Sequence, residues 1–80
     1  MTVHEAVVQR LLQLCAHHNI SVNHLCKISD IAPSTVHSFL HSKSQNTRIE
    51  TIRKLCNGLN ISLVDFFNSD LFDDLEQEVK

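Results

Sequence analysis

Hydroxyl and imidazole side chains are concentrated in one stretch of this 80-residue sequence, SDIAPSTVHSFLHSKS at positions 29–44. Serine, threonine and histidine can serve as nucleophiles or bases in catalysis, and histidine also binds metal ions. The same groups donate and accept hydrogen bonds when a protein recognises another molecule. Their chemistry therefore fits catalysis, metal binding or recognition.

Catalysis and metal binding have little support in the surrounding pattern. His18 follows Cys15 by three positions and His24 precedes Cys26 by two, but no Cys-x-x-Cys pair accompanies them. With one glycine in the chain, there is no glycine-rich phosphate loop. We therefore expect that the protein is not an enzyme and that it binds no metal, no cofactor and no small-molecule substrate.

Charge is distributed unevenly along the chain, although the net value is −2. Residues 1–67 carry six basic against four acidic side chains, whereas residues 68–80 carry one basic against five acidic. Four of the six basic residues of the first segment fall between positions 43 and 54. The sequence thus divides into a weakly basic domain, residues 1–67, and an acidic tail, residues 68–80.

Composition favours a single all-α domain. One glycine, one proline and no tryptophan or tyrosine leave few signals for strands or hairpins. Eighty residues support one small core. The three cysteines do not form a disulfide framework, so we expect small buried thiols in a reducing compartment. No signal peptide or membrane span is visible, and we predict a cytoplasmic protein.

Apolar spacing predicts two helices in the first third of the chain. Residues 3–17 repeat apolar side chains at intervals of three and four, and Thr2 with Glu5 forms a capping box at the start. Ser21 is an N-cap for a shorter helix over 22–28. The apolar positions are Val3, Val7, Val8, Leu11, Leu12, Leu14 and Cys15, then Val22, Leu25, Cys26 and Ile28.

A third helix is predicted over about 33–42, because proline is favoured in a first helical turn. Val36, Phe39 and Leu40 recur at helical spacing and should face the core. The side chains predicted to face outward are Ser34, Thr35, His37, Ser38 and His41. This helix therefore presents hydroxyl and imidazole groups to solvent.

Two further helices follow. The fourth, about 48–57, is predicted to begin with Thr47 as N-cap and Glu50 as its partner, and to end at Asn57 and Gly58. Ser62 caps a short fifth helix formed by LVDFF. The residues predicted to be buried are Ile49, Ile52, Leu55 and Cys56, then Leu63, Phe66 and Phe67.

Two short helices joined by a tight turn over residues 21–42 form a helix-turn-helix pattern. A major groove about 12 Å wide admits the second helix of such a motif, with its N-terminal side chains at the base edges. Small residues such as Ser34 and Thr35 would allow close approach and could bond to a base or a phosphate. Recognition of duplex DNA is therefore the function that this pattern favours.

The same residues resemble a known family. SVNHLCKISDIAPSTVHSFLHSKS and IETIRKLCNGLNISLVDFF are similar to the Cro and phage-repressor class of DNA-binding domains, also called XRE-like. The resemblance covers residues 5–67 and implies a five-helix, lambda repressor-like bundle. It also implies a small transcriptional regulator that represses by occupying an operator.

Site residues follow from that resemblance. It places Pro33, Ser34, Thr35 and Ser38 nearest the bases, with His37 beside them. It places Val22 and Asn23 near the DNA backbone. The phosphate-facing segment that it implies comprises Lys43, Ser44, Gln45, Asn46 and Arg48.

Two departures from the family pattern keep an alternative open. Asp30 stands where the family usually has a turn glycine, and the predicted recognition helix lacks the arginine or glutamine that makes bidentate base contacts. The missing bidentate groups and the net acidity favour a helical protein-interaction module, similar to an antitoxin or anti-repressor, that has lost DNA binding. The basic residues at 43–54 favour the regulator.

The acidic tail contains a second apolar pattern. Leu71, Phe72, Leu75 and Val79 are spaced for a short C-terminal helix. Such a helix can fold back onto its own domain or form a homodimer contact, and a frayed tail is the third alternative. A homodimer would suit DNA binding, because two linked modules read half-sites about 34–36 Å apart.

Overall fold

A computed structural model describes residues 2–41, 48–73 and 75, with the side chain of Phe39 outside that description. Five α-helices follow one another along the chain, and a 3-10 turn, Asp70–Phe72, ends the described part. The helices are α1 (Val3–His17), α2 (Val22–Ile28), α3 (Pro33–His41), α4 (Ile49–Leu59) and α5 (Leu63–Phe67). The described residues contain no strand, and the predicted all-α five-helix fold is confirmed.

Three of the predicted helix starts are confirmed in detail. Thr2 Oγ1 accepts a hydrogen bond from the Glu5 amide at 3.2 Å, and the Glu5 carboxylate accepts one from the Thr2 amide. The bond from the Thr2 amide, followed by hydrogen bonding with the Thr2 side chain, lowers the pKa of the Glu5 carboxyl. Ser21 Oγ caps α2, and Ser62 Oγ caps α5 by accepting from the Asp65 amide at 3.0 Å. Hydroxyl caps therefore begin both short helices.

The core draws on all five helices. α2 packs against α1, α3 and α4, and α5 packs against α4. The central side chains, each at most 3% exposed, are Val7, Leu11, Leu25, Cys26, Val36, Ile52, Leu55, Cys56 and Phe66. One contiguous core thus fixes the orientation of α2 and α3.

Some residues of the apolar pattern lie outside this core. Ile49 was predicted to be buried and is 58% exposed, so that prediction is wrong. It is the first residue of α4, as Val3 is of α1, and helical side chains point back towards the N-terminus, past the start of the helix. Leu12 and Ile28, nearly half exposed, lie beside the buried stripes of their helices rather than on them.

The predicted end of α4 at Asn57 and Gly58 is also wrong, because the helix continues to Leu59. Asn60 ends it in the left-handed conformation, with φ of 59°. Gly58 has a packing role instead. A Cβ added there would clash with Ser29 Oγ and lie 3.3 Å from Leu25 Cδ1, so the glycine lets α4 approach α2 closely.

The start of α4 differs from the predicted capping box. Arg48 occupies the N-cap position and makes no side-chain cap bond. Thr47, the predicted cap, lies outside the described residues. Its predicted partner Glu50 accepts instead from Arg53 Nη2, at 3.4 Å.

The start of the acidic tail folds back onto the domain. The 3-10 turn packs against α1. The Phe72 ring lies 5.0 Å from that of Phe67 and 6.3 Å from that of Phe66, measured between centroids. A short C-terminal helix was one possibility for the tail; residues 70–72 form a single 3-10 turn, and Val79 lies outside the described residues.

Candidate nucleic-acid interface

The turn between α2 and α3 is set by one left-handed residue. Asp30 has φ of 56°, so it adopts the conformation that the family usually gives to glycine. The amide of Ile31 then donates to the carbonyl of Cys26 at 3.0 Å, so this carbonyl in the last turn of α2 has a hydrogen-bond partner. The predicted helix-turn-helix is therefore formed with aspartate at the turn.

α3 begins at Pro33, as predicted, and the Thr35 amide donates to the Ala32 carbonyl at 3.0 Å. Val36 is fully buried and Leu40 is half-buried, so these two residues anchor the inner face. Phe39 was also predicted to face the core, but its side chain lies outside the described residues. The exposed residues of α3 include Pro33, Ser34, Thr35, His37, Ser38 and His41, and the predicted outward face is confirmed.

A polar contact between Asn23 and His37 joins α2 to this exposed face. Asn23 Oδ1 lies 3.2 Å from His37 Nε2, and both side chains are exposed. The His37 ring also stacks on His41, with centroids 6.1 Å apart and planes 3° from parallel. Sequence reasoning left His41 out of the site residues, although its spacing of four from His37 was a usable signal.

The structure describes some of the residues that are expected near DNA phosphates. Val22 is half-buried against the core and Asn23 is exposed, both at the start of α2. Arg48 is exposed just before α4. The predicted contacts Lys43, Ser44, Gln45 and Asn46 lie outside the described residues.

Other chemistry is sparse in the part of the chain that the structure describes. There, no three histidine, cysteine, aspartate or glutamate side chains are grouped as metal ligands, and no helix is long and apolar enough to span a bilayer. The three cysteines are free and buried, as predicted. Desolvation raises the pKa of all three thiols and makes them poor nucleophiles.

Comparison with known proteins gives the family. No curated protein matches the chain. A structure titled "Crystal structure of the prophage Lp1 protein 11" superposes with a TM-score of 0.83 and 31% sequence identity, covering 94% of this chain and 99% of that chain. Residues 10–70 match the family model of the Cro/C1-type HTH DNA-binding domain. The chain therefore belongs to the Cro/C1-type helix-turn-helix family of DNA-binding domains.

Proposed function

We propose that this protein is a transcriptional repressor that binds a specific duplex DNA operator, with α3 in the major groove. The observation that carries the proposal is the two-sided character of α3. Val36 and Leu40 hold the helix on the core, while Ser34, Thr35 and Ser38 are exposed on its other sides. Short hydroxyl side chains allow the helix backbone to approach base edges closely and can bond to either base or phosphate.

The remaining contacts are proposed from their positions around α3. Pro33 and His37 lie beside the hydroxyl groups, and Val22 and Asn23 begin the helix that crosses the DNA backbone. Lys43, Ser44, Gln45, Asn46 and Arg48 would then contact phosphates, as the resemblance implies. Phosphate contacts of this kind fix the register of α3, whereas its own side chains read sequence.

The first test is selection of bound duplexes from a random pool at physiological salt, followed by sequencing. We expect enrichment of one motif by the parent protein. Ser38→Glu should abolish the enrichment, because a carboxylate on this face meets phosphates and base acceptors. Gln13→Glu adds the same charge in the cleft between α1 and α5 and serves as the matched control. Binding by Ser38→Glu equal to that of the control would refute the proposed face.

The second test is the salt dependence of the affinity. Each neutralised phosphate contributes about −0.9 to the slope of log K against log salt for B-form DNA. Arg48→Gln should therefore weaken binding to all duplexes alike and make the slope shallower by about one per protomer. An unchanged slope would remove Arg48 from the phosphate contacts.

We propose that the repressor acts as a homodimer in the cytoplasm. α5 leaves Val64 77% exposed, and Leu63, Val64, Phe67 and Asn68 line a shallow groove that a second copy could cover. Leu71 and Leu75 are half-buried nearby in sequence. Sedimentation of the full chain should give the mass of two chains, and Val64→Lys should give one. Leu12→Lys, on α1, is the control for adding a charge at an exposed apolar residue.

The alternative function is that of a protein-interaction module that does not bind DNA. The exposed apolar groove on α5 favours it, because such surfaces often bind proteins. A folded protein that enriches no duplex at low or physiological salt would support this alternative over the repressor.

A further inference from the structure

We propose that Asn23 and His37 act as one base-reading unit, in which Asn23 fixes the hydrogen-bonding character of the His37 ring. The inference rests on the proposed DNA binding. It goes further by assigning Asn23 as a positioning residue and by naming the class of base that His37 recognises. The observation behind it is the contact of 3.2 Å between Asn23 Oδ1 and His37 Nε2, which joins the two helices of the motif.

The chemistry of this contact determines what the ring can do. With the Asn23 amide oxygen facing the ring, we assign the proton to His37 Nε2, which donates it to that oxygen. In the neutral imidazole, Nδ1 is then left as an acceptor. An acceptor matches the exocyclic amino groups that adenine and cytosine present in the major groove, and it does not match guanine N7 and O6 or thymine O4.

His41 contributes to the same arrangement. Its ring stacks on His37 with planes 3° from parallel, which restricts rotation of the His37 side chain. In the described part of the chain, Asn23 from α2 and His41 from α3 contact the His37 ring.

We therefore expect one operator position at which adenine or cytosine is preferred on one strand. A single neutral hydrogen bond corresponds to a discrimination of about two- to tenfold. His37→Ala should remove this preference while leaving the other positions unchanged. Asn23→Ala should weaken it, because the ring can then present a donor as readily as an acceptor.

The sharpest variant is Asn23→Asp. A carboxylate at this position favours the protonated imidazolium, whose Nδ1 is a donor. The preferred base at that position should then shift towards guanine or thymine. Total affinity falls in this variant through repulsion of phosphates, so the readout is the ratio between bases within each variant rather than affinity itself.

The experiment is duplex selection with the parent, Asn23→Ala, Asn23→Asp and His37→Ala, in buffer containing EDTA so that no metal bridges the histidines. His17→Gln, in the cleft between α1 and α5, is the matched histidine control. Circular dichroism melting checks that every variant is folded. A purely structural contact would move the melting temperature and leave all base ratios unchanged, and that result would overturn the inference.

Other outcomes separate the two proposals. If the parent enriches a motif and His37→Ala alters it while both Asn23 variants match the parent, the coupling is refuted and the repressor proposal stands. If the folded parent enriches no duplex, the repressor proposal fails and this inference fails with it.

Discussion

The left-handed residue in the helix-turn-helix is an aspartate, and this choice has a cost in stability. Left-handed backbone disfavours residues with a Cβ by roughly 1–2 kcal/mol, with aspartate and asparagine less affected than others. The same conformation occurs at Asn19, which follows the C-cap of α1, and at Asn60, the C-cap of α4. The chain therefore uses short polar residues at its sharp turns, where glycine is the usual solution.

Substitutions at Asp30 should report this strain directly. Asp30→Val should lower the free energy of unfolding by about 1–2 kcal/mol, because a β-branched residue is least tolerated at positive φ. Asp30→Gly should leave it unchanged or raise it. Urea denaturation followed by circular dichroism measures both. Asp73→Val, at an exposed residue with φ of −80°, is the control and should change little. Equal stability of the two valine variants would contradict the left-handed turn.

At the residue scale, the sequence predicts which side chains are exposed on α3 but not which of them pair with side chains of other helices. Hydroxyl and imidazole groups were predicted on the outer face of α3 from spacing alone, because Val36 and Leu40 define the inner face. The contact of Asn23 with His37 joins residues 14 positions apart and depends on the angle between two helices. That angle is set by packing of the whole core, so local pattern could not predict it.

At the level of the elements, α2 and α4 approach closely because Gly58 has no side chain. Sequence reasoning assigned this glycine to a helix end, since glycine is common there. Gly58 is the next-to-last residue of α4, and a glycine within a helix costs up to about 1 kcal/mol relative to alanine. Here it avoids a clash with Ser29 Oγ and contacts at 3.2 Å with Ser29 Cβ. The helix boundary was missed because a contact distant in sequence outweighed the local preference.

Gly58→Ala should therefore destabilise the protein despite the higher helix propensity of alanine. Overpacking a core costs about 1–3 kcal/mol, against a propensity gain of up to about 1 kcal/mol. Ser29→Ala alone should be neutral or stabilising, because Ser29 Oγ is buried with no hydrogen-bond partner in the described structure. The double variant should recover part of the loss. Additive effects in a urea denaturation cycle would show that the two residues do not touch.

The short helix α5 is held at its C-terminal end by a distant arginine. Arg10 Nε donates to the carbonyl of Phe66 at 2.7 Å, and Nη2 donates to that of Asp65 at 2.8 Å. Both carbonyls lie in the last turn of α5, where a cation also complements the helix dipole. Five residues make a marginal helix on their own. The fifth helix therefore depends on α1 as well as on its Ser62 cap.

Arg10→Met should lower the free energy of unfolding by about 1–3 kcal/mol, because two charge-assisted hydrogen bonds are lost while the packed stem is kept. Arg53→Met is the matched control. Its exposed pair with Glu50, at 3.4 Å, should contribute less than about 1 kcal/mol. Thermal melts of the two variants make the comparison. If Arg10→Met lowered the free energy of unfolding no more than Arg53→Met does, the Arg10 contacts would not stabilise α5.

Across the whole molecule, the three buried thiols connect stability to pH. Cys15, Cys26 and Cys56 are each at most 4% exposed, and burial raises the pKa of each from its ordinary value of 9.0. A raised pKa in the folded state means that the unfolded chain releases these protons first as pH rises. The contribution of the thiols to stability is therefore complete below pH 9.0 and is lost as pH rises through the folded-state values.

Two measurements test this expectation together. Alkylation by iodoacetamide at neutral pH should be slow for the native protein and fast in urea, because the buried thiols react after unfolding. The free energy of unfolding from urea titrations should then fall as the pH is raised above 9.0. Cys56→Ala removes one titrating group, so its loss over the same interval should be smaller than that of the parent, whatever its stability at neutral pH. If the parent and Cys56→Ala lost equal free energy of unfolding and the native protein were alkylated rapidly, the thiols would be exposed and the core packed differently.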